Sequence, residues 1–271
     1  MTRSFQRRSL KVLCVLALIA SCASGQWLNY PTPGIPRLPD GKPNLAAPAP
    51  KAADGKPDLS GIWEPIASLN LEQVSGVAYS NQFANLGSGL PGGIPYTGWA
   101  ADLVKARNAN LHRDDPGAHC LPTGPTLLHT TPALRKIIQT PGLLAILNER
   151  DVSYRQIFTD GRPLPIDPQP AWNGYSSGKW EGDALVVATS GFRDGNWLDK
   201  NGSPLTDAGK LTERFRRPDF GHLEIEVTVD DPTAYTKPWT VTLKQRIVAD
   251  TELLEYVCLE NEKDTQHFVA K

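Results

Sequence analysis

The chain has 271 residues, 40% hydrophobic and 21% charged, a length and balance that exclude a fibrous repeat and wholesale disorder. Lys and Arg number 28 against 29 Asp and Glu, and four of those cations (Arg3, Arg7, Arg8, Lys11) lie in the first eleven residues. Without them 24 cations face 29 acids, a net charge near −5 with no basic block, which excludes the positive footprint of a nucleic-acid binder.

Residues 1–25 read as an export signal: the four cations, an apolar run from Val12 to Ala20, then small side chains. Nine residues rising about 1.5 Å each cover under half of a ~30 Å hydrocarbon layer, so the run is too short to span a membrane. Leu18-Ile19-Ala20-Ser21-Cys22 has the form of a lipobox, in which Cys22 is acylated and tethers the protein to a membrane. Ala23-Ser24-Gly25 offers a competing cut before Gln26 that releases a free protein to the periplasm. Arg7-Arg8-Ser9-Leu10-Lys11 is also a loose twin-arginine pattern. Beyond the leader only Cys120 and Cys258 remain, and in an oxidising compartment a disulfide is their simplest use. Two buried thiols, or a nucleophilic cysteine beside His119, are the alternatives.

Residues 26–58 form a proline-rich arm, in which Asp40-Gly41-Lys42-Pro43-Asn44-Leu45 recurs as Asp54-Gly55-Lys56-Pro57-Asp58-Leu59. Two copies make a pair of similar turns, not a repeat architecture. A single domain is expected over residues 59–271, beginning with Ser60-Gly61-Ile62-Trp63. Thr97 is placed to cap a helix running to about His112, with Trp99, Leu103 and Ala106 on its inner side. After Ala133 the pattern becomes β. Leu143–Leu147 and Val152–Phe158 flank a turn, and Tyr175–Trp180 and Ala184–Thr189 flank Glu181-Gly182-Asp183. A further strand passes through Leu211, Glu213 and Phe215. His222–Asp230 alternates apolar and polar residues throughout, Trp239 to Lys244 does the same, and Leu253–Cys258 reads as a last strand. Some eight short strands with one clear helix predict an all-β domain, an antiparallel lipocalin-like barrel, with a β-sandwich as the alternative.

Gly61-Ile62-Trp63 resembles the Gly-x-Trp opening strand of lipocalin-like (calycin) barrels, which implies a tryptophan plugging one barrel end. Arg155 to Pro163, Trp172-Asn173-Gly174-Tyr175-Ser176, Gly178-Lys179-Trp180-Glu181-Gly182-Asp183 and Glu255 to Asn261 together resemble a family of exported proteins abundant in soil bacteria. That resemblance spans most of the mature chain, implies export and a β-rich fold, and carries over no catalytic residue.

The site candidates come from the residues themselves. Trp172, Tyr175, Trp180 and Trp197 cluster among glycine-rich turns, where aromatic faces can stack on a sugar ring, a lipid or a flat aromatic compound. Arg155 and Arg162 are the polar anchors if they face inward. The expected function is therefore the binding of a small, partly apolar ligand. The alternative is a cofactor-free carbohydrate-acting hydrolase, lyase or isomerase using Asp183, Glu213 and His222 as acid and base. Against it, acids at turns are what turns require, and Glu213 stands beside Arg214, Arg216 and Arg217, which offer it ion pairs. No nucleotide loop, haem-attachment motif or serine-nucleophile elbow occurs, and no cofactor is expected. His112, Asp114, Asp115, His119 and Cys120 share a loop without a familiar metal-ligand spacing, so no metal is expected either.

Overall fold

The computed structural model describes residues 30–66 and 80–260. The leader, with Cys22 and both cleavage sites, lies outside them. Nine strands close into a barrel: β1 (Gly61–Pro65), β2 (Arg135–Thr140), β3 (Leu143–Asn148), β4 (Ser153–Phe158), β5 (Tyr175–Glu181), β6 (Ala184–Ser190), β9 (Lys210–Arg216), β10 (His222–Asp230) and β11 (Trp239–Ile247). A small ribbon, β7 (Asn196–Trp197) with β8 (Pro204–Leu205), lies outside the ring. The order is β1-β11-β10-β9-β6-β5-β4-β3-β2 and back to β1. The predicted barrel is thus present, and the sandwich is not.

The alternation in the sequence sets which side chains fill it. Leu223, Ile225, Val227 and Val229 of β10 point inward and are fully buried, as are Leu211, Glu213 and Phe215 of β9 to within 1%. Gly178 on β5 lets the wall close, because a Cβ there would stand 3.1 Å from Ile157 and 3.2 Å from Leu185.

A ring of nine strands cannot alternate direction all the way round, so one neighbouring pair must be parallel. That pair is β4 with β5, in register only at Ile157↔Ser176 and Phe158↔Ser177. The chain therefore has to return the length of the barrel between them. It does so through residues 159–174, whose four prolines (Pro163, Pro165, Pro168, Pro170) favour an extended path. Pro168 seats on Gly191, where a Cβ would come within 2.4 Å of the ring, and Ala171 bridges to Phe192.

The two barrel ends are closed by different means. At one end sit α1 (Asn81–Ala84), α2 (Gly98–Ala109), α3 (Pro125–Thr130) and the β7–β8 ribbon. Thr97 caps α2, its Oγ1 accepting from Ala100 N at 3.3 Å. The buried face of α2 is Ala100, Val104 and Arg107; Trp99 is 51% exposed, so the expected inner face is one residue out of phase. Arg107 decides the phase: it pairs with Asp114 at 3.0 Å, donates to Gly202 O at 2.7 Å and lies over the Trp197 ring.

The proline-rich arm lies along the other end. Its repeated hexapeptide builds the same turn twice. Leu38 N donates to Lys42 O and Lys42 N to Asp40 Oδ1; fourteen residues on, Ala52 N donates to Lys56 O and Lys56 N to Asp54 Oδ1. Leu45 and Leu59, equivalent in the two copies, both pack into the barrel end. Trp63 is fully buried there, its Nε1 donating to Leu59 O at 3.1 Å, and it plugs this end with Arg217 stacked on it at 4.9 Å. Arg217 in turn donates to the carbonyls of Asp58, Ser60 and Phe220 at 2.5, 3.1 and 2.6 Å. Burial pulls this guanidinium down to about 10, against the opposing pull of Asp58 and Asp219.

Leu253–Cys258 is not a strand. Both sides of β1 are already paired, with β2 and β11, and a closed ring leaves no edge to join. The segment runs instead as coil, with Leu254 N on Glu149 Oε1 at 2.7 Å, and ends in a Cys120–Cys258 disulfide. The bridge closes a loop across 138 positions of sequence, worth about 5 kcal/mol on the chain-entropy model. Reduction is expected to lower the thermal midpoint in scanning calorimetry while the far-ultraviolet β signal at 25 °C persists; an unchanged midpoint would show that the bridge carries no stability.

Candidate functional site

A knot of polar groups lies inside the barrel among its apolar side chains. Glu213, with no exposure, accepts from Arg155 Nη1 at 2.9 Å and again from Arg155 Nη2, and meets His129 Nε2 at 2.7 Å. His129 Nδ1 contacts Arg135 Nη1. The imidazole thus lies between the Arg135 guanidinium and the Glu213 carboxylate. Arg155 Nε reaches Ser176 Oγ at 3.1 Å and its Nη2 reaches Thr189 Oγ1 at 2.8 Å. Gln245 Nε2 holds the His129 carbonyl at 2.9 Å.

Local sequence explains how the histidine gets there. Gly124 and Pro125 start α3, with proline at a position where the helix needs no N–H donor. All six α3 residues are buried, so the short helix enters the barrel end as a plug and delivers His129 to β9. Arg135 and Arg155 sit on the inward register of β2 and β4. Burial pulls Arg135 down to about 9, with Glu213 opposing and Arg155 reinforcing that shift, so it keeps its proton at neutral pH. Its Nε and Nη2 have no hydrogen-bond partner among the described residues. Two guanidinium groups therefore share one carboxylate, and the knot carries an excess positive charge.

The knot touches the surface at the parallel seam. Below the two paired positions β4 and β5 diverge, and a side cleft of about 480 Å³ opens between Ser153–Gln156 and Ala171–Ser176. Trp172 and Tyr175 wall it, Phe158 stacks on Tyr175 at 5.3 Å, and Arg155 and Ser176 stand at its back. Asp151 also lines it, held by Thr123 Oγ1 at 3.3 Å and by Arg150 at 3.6 Å.

Three of the expected ligand residues, Arg155, Trp172 and Tyr175, thus meet in one cleft. Arg162 lies outside the barrel, bonded to Asp160 at 2.6 Å and over the Phe158 ring; its contacts with Asp160 and Tyr175 raise its affinity for the proton. Trp180 lines a different recess, at the arm-covered end, and Trp197 is buried against Arg107 and His112. The acid–base trio does not assemble. Asp183 is exposed in the β5–β6 turn, His222 faces out and pairs with Asp219 at 2.8 Å, and Glu213 is held inside. Glu213 is paired with an arginine, but with Arg155 across the barrel and none of its sequence neighbours: Arg214 bonds Glu181 and Arg217 covers Trp63. Sequence reasoning missed His129 and Arg135. The only signal was Arg135 in the alternation Arg135-Ile137-Gln139.

In the Cys120 loop, Asp114 serves Arg107, Asp115 serves Lys200 and Gly117 N, and His119 contacts Arg113 O. Among the described residues no group of three or more His, Cys, Asp or Glu side chains is arranged to hold a metal. No protein-family model and no curated protein matches the sequence, so the site is read from its own geometry.

Glu213→Gln is expected to destabilise the fold by about 3–5 kcal/mol, because it leaves both buried guanidinium groups without a counter-charge. The urea midpoint measures this, and Glu213→Leu/Arg155→Met should lose less than the two single changes summed. A midpoint within error of the parent would mean that the carboxylate does not balance the interior.

Proposed function

We propose that the protein is an exported β-barrel that binds a small, partly apolar ligand in the side cleft between β4 and β5. The observation that carries this reading is the split seam, which brings a buried, pre-positioned guanidinium to the back of an aromatic cleft. Concave sites of a few hundred cubic ångströms with aromatic walls and few polar groups are the usual form of small-molecule sites. Trp172 and Tyr175 supply ring faces for a flat or sugar-like body. Arg155 has four of its five N–H groups committed to Glu213, Ser176 and Thr189, so its orientation is set before any ligand arrives. Ligand oxygens fit better than ligand cations at this depth, given the excess positive charge behind them.

Export rests on the leader and is compatible with the disulfide, a bond favoured in oxidising compartments. Among the described residues no helix is long and apolar enough to cross a membrane. Attachment through an acylated Cys22 is the accompanying proposal for the N-terminus, and it rests on the lipobox; the resemblance to exported soil-bacterial proteins agrees with export.

Titration with 4-nitrophenyl glucoside and with benzoate, followed by intrinsic fluorescence and calorimetry, tests the cleft. Saturable binding of either probe, weakened about tenfold or more by Trp172→Ala, is the expected result. No saturation up to millimolar probe, or affinity indifferent to Trp172→Ala, would overturn the assignment.

A further inference from the structure

The arm-covered end of the barrel is plugged on only one side. Trp63, Arg217 and Phe220 fill the part next to β1 and β9. The part next to β2, β3, β5 and β6 holds a recess of about 640 Å³ whose lining includes the inward side chains Leu144, Leu185 and Trp180. Leu144 and Leu185 are core residues, buried to 1% and 0%, so the recess runs down to the barrel's own packing. Trp180 stands half-buried on its wall, on the same inward register as Ser176 and Gly178.

The second copy of the repeated hexapeptide hangs over this opening. Its turn contributes Ala52, Ala53, Asp54 and Asp58 to the lining. The base of the turn is anchored: Leu59 N donates to Gln139 Oε1 at 2.9 Å, and Gln139 Nε2 donates to Pro57 O at 3.1 Å. The two carboxylates are committed only to local backbone, Asp54 to Lys56 N and Asp58 to Ser60 N, and neither forms a salt bridge among the described residues. Lys56 stands between them in sequence but is not among the residues lining the recess, and Arg217 is bonded to the Asp58 carbonyl and not to its carboxylate. Among the described residues lining the recess there is no Lys, Arg or His.

We infer that this recess is a second binding site, for a cationic amphiphile: an apolar body against Trp180, Ala52 and Pro141, over a floor of Leu144 and Leu185, and an ammonium head under Asp54 and Asp58. Apolar area still exposed on Trp180, Ala52, Ala53 and Pro141, above the leucine floor, favours the body. The head is drawn by two carboxylates and by the Trp180 ring face, which attracts cations by its quadrupole. The first hexapeptide copy builds the same turn, but there Asp40 pairs with Lys42 at 3.1 Å and Leu45 is packed down on Gly221. The site goes beyond the side-cleft reading and has the opposite charge preference, so either can fail alone.

The test is calorimetry with octyltrimethylammonium below its micelle concentration, beside octanoate and octyl glucoside as chain-matched anionic and neutral probes. The ammonium probe should bind at one site. Asp54→Asn/Asp58→Asn, which keeps both Asx acceptors, should weaken it about tenfold or more. Trp180→Phe should weaken it less, and Trp172→Ala should leave it unchanged. Equal affinity for octanoate, or an ammonium affinity indifferent to the double Asn change, would overturn the cationic preference. Absence of binding by all three probes to folded protein would overturn the site itself, and an ammonium response lost with Trp172→Ala would assign it to the side cleft instead.

Discussion

Two guanidinium groups lie inside this barrel, Arg155 bonded directly to Glu213 and Arg135 joined to it through His129. Desolvating each cation costs several kcal/mol, and only a well-placed counter-charge with matched hydrogen bonds offsets that cost. Glu213 meets both requirements because β9 sets it opposite β4 across the interior while α3 lowers the His129 imidazole onto it from the barrel end. The plug helix, the position of β9 and the inward register of β2 and β4 are thereby tied to one carboxylate. His129 lies between Arg135 and Glu213, and the Glu213 oxygens are already shared among donors.

Most barrel strands were legible from alternation and turn chemistry, most clearly β10 and β11, since one face of each meets the core and the other meets water; β2 was not singled out, and Leu253–Cys258 carries the pattern without forming a strand. Three further things were not legible. The parity of the ring is a global property: nothing local to β4 or β5 says that they run in the same direction, and the cleft follows from that. The partner of Glu213 was misplaced because neighbouring residues on a strand point to opposite faces, so Arg214 cannot reach an inward carboxylate while Arg155, far off in sequence, can. The tryptophans cluster in sequence but not in space. Trp172 and Trp180 belong to opposite ends of one strand's neighbourhood, and Trp197 leaves the barrel altogether with the β7–β8 ribbon.

Duplication in the arm shows how one local design acquires two roles. Both hexapeptides fold into the same Asx-stabilised turn, and both place a leucine on the barrel end. What differs is the surface each meets: Gly221, with no side chain, admits Leu45 closely, whereas the second turn projects over an opening in the wall. The arm is therefore part of the domain's packing and not a spacer, and Arg217 fastens it by taking three backbone carbonyls at once.

Closure of the ring joins β1 to β11, the first strand of the domain to the last. The β10–β11 pair joins strands close in sequence, but β1 must find β11 across about 180 residues, and loop closure over so long a stretch is slow. Until then the growing polypeptide is an open, incomplete sheet. A chain built this way keeps an open sheet edge until β11 exists, so the last strand to be made sets the moment at which the wall can seal.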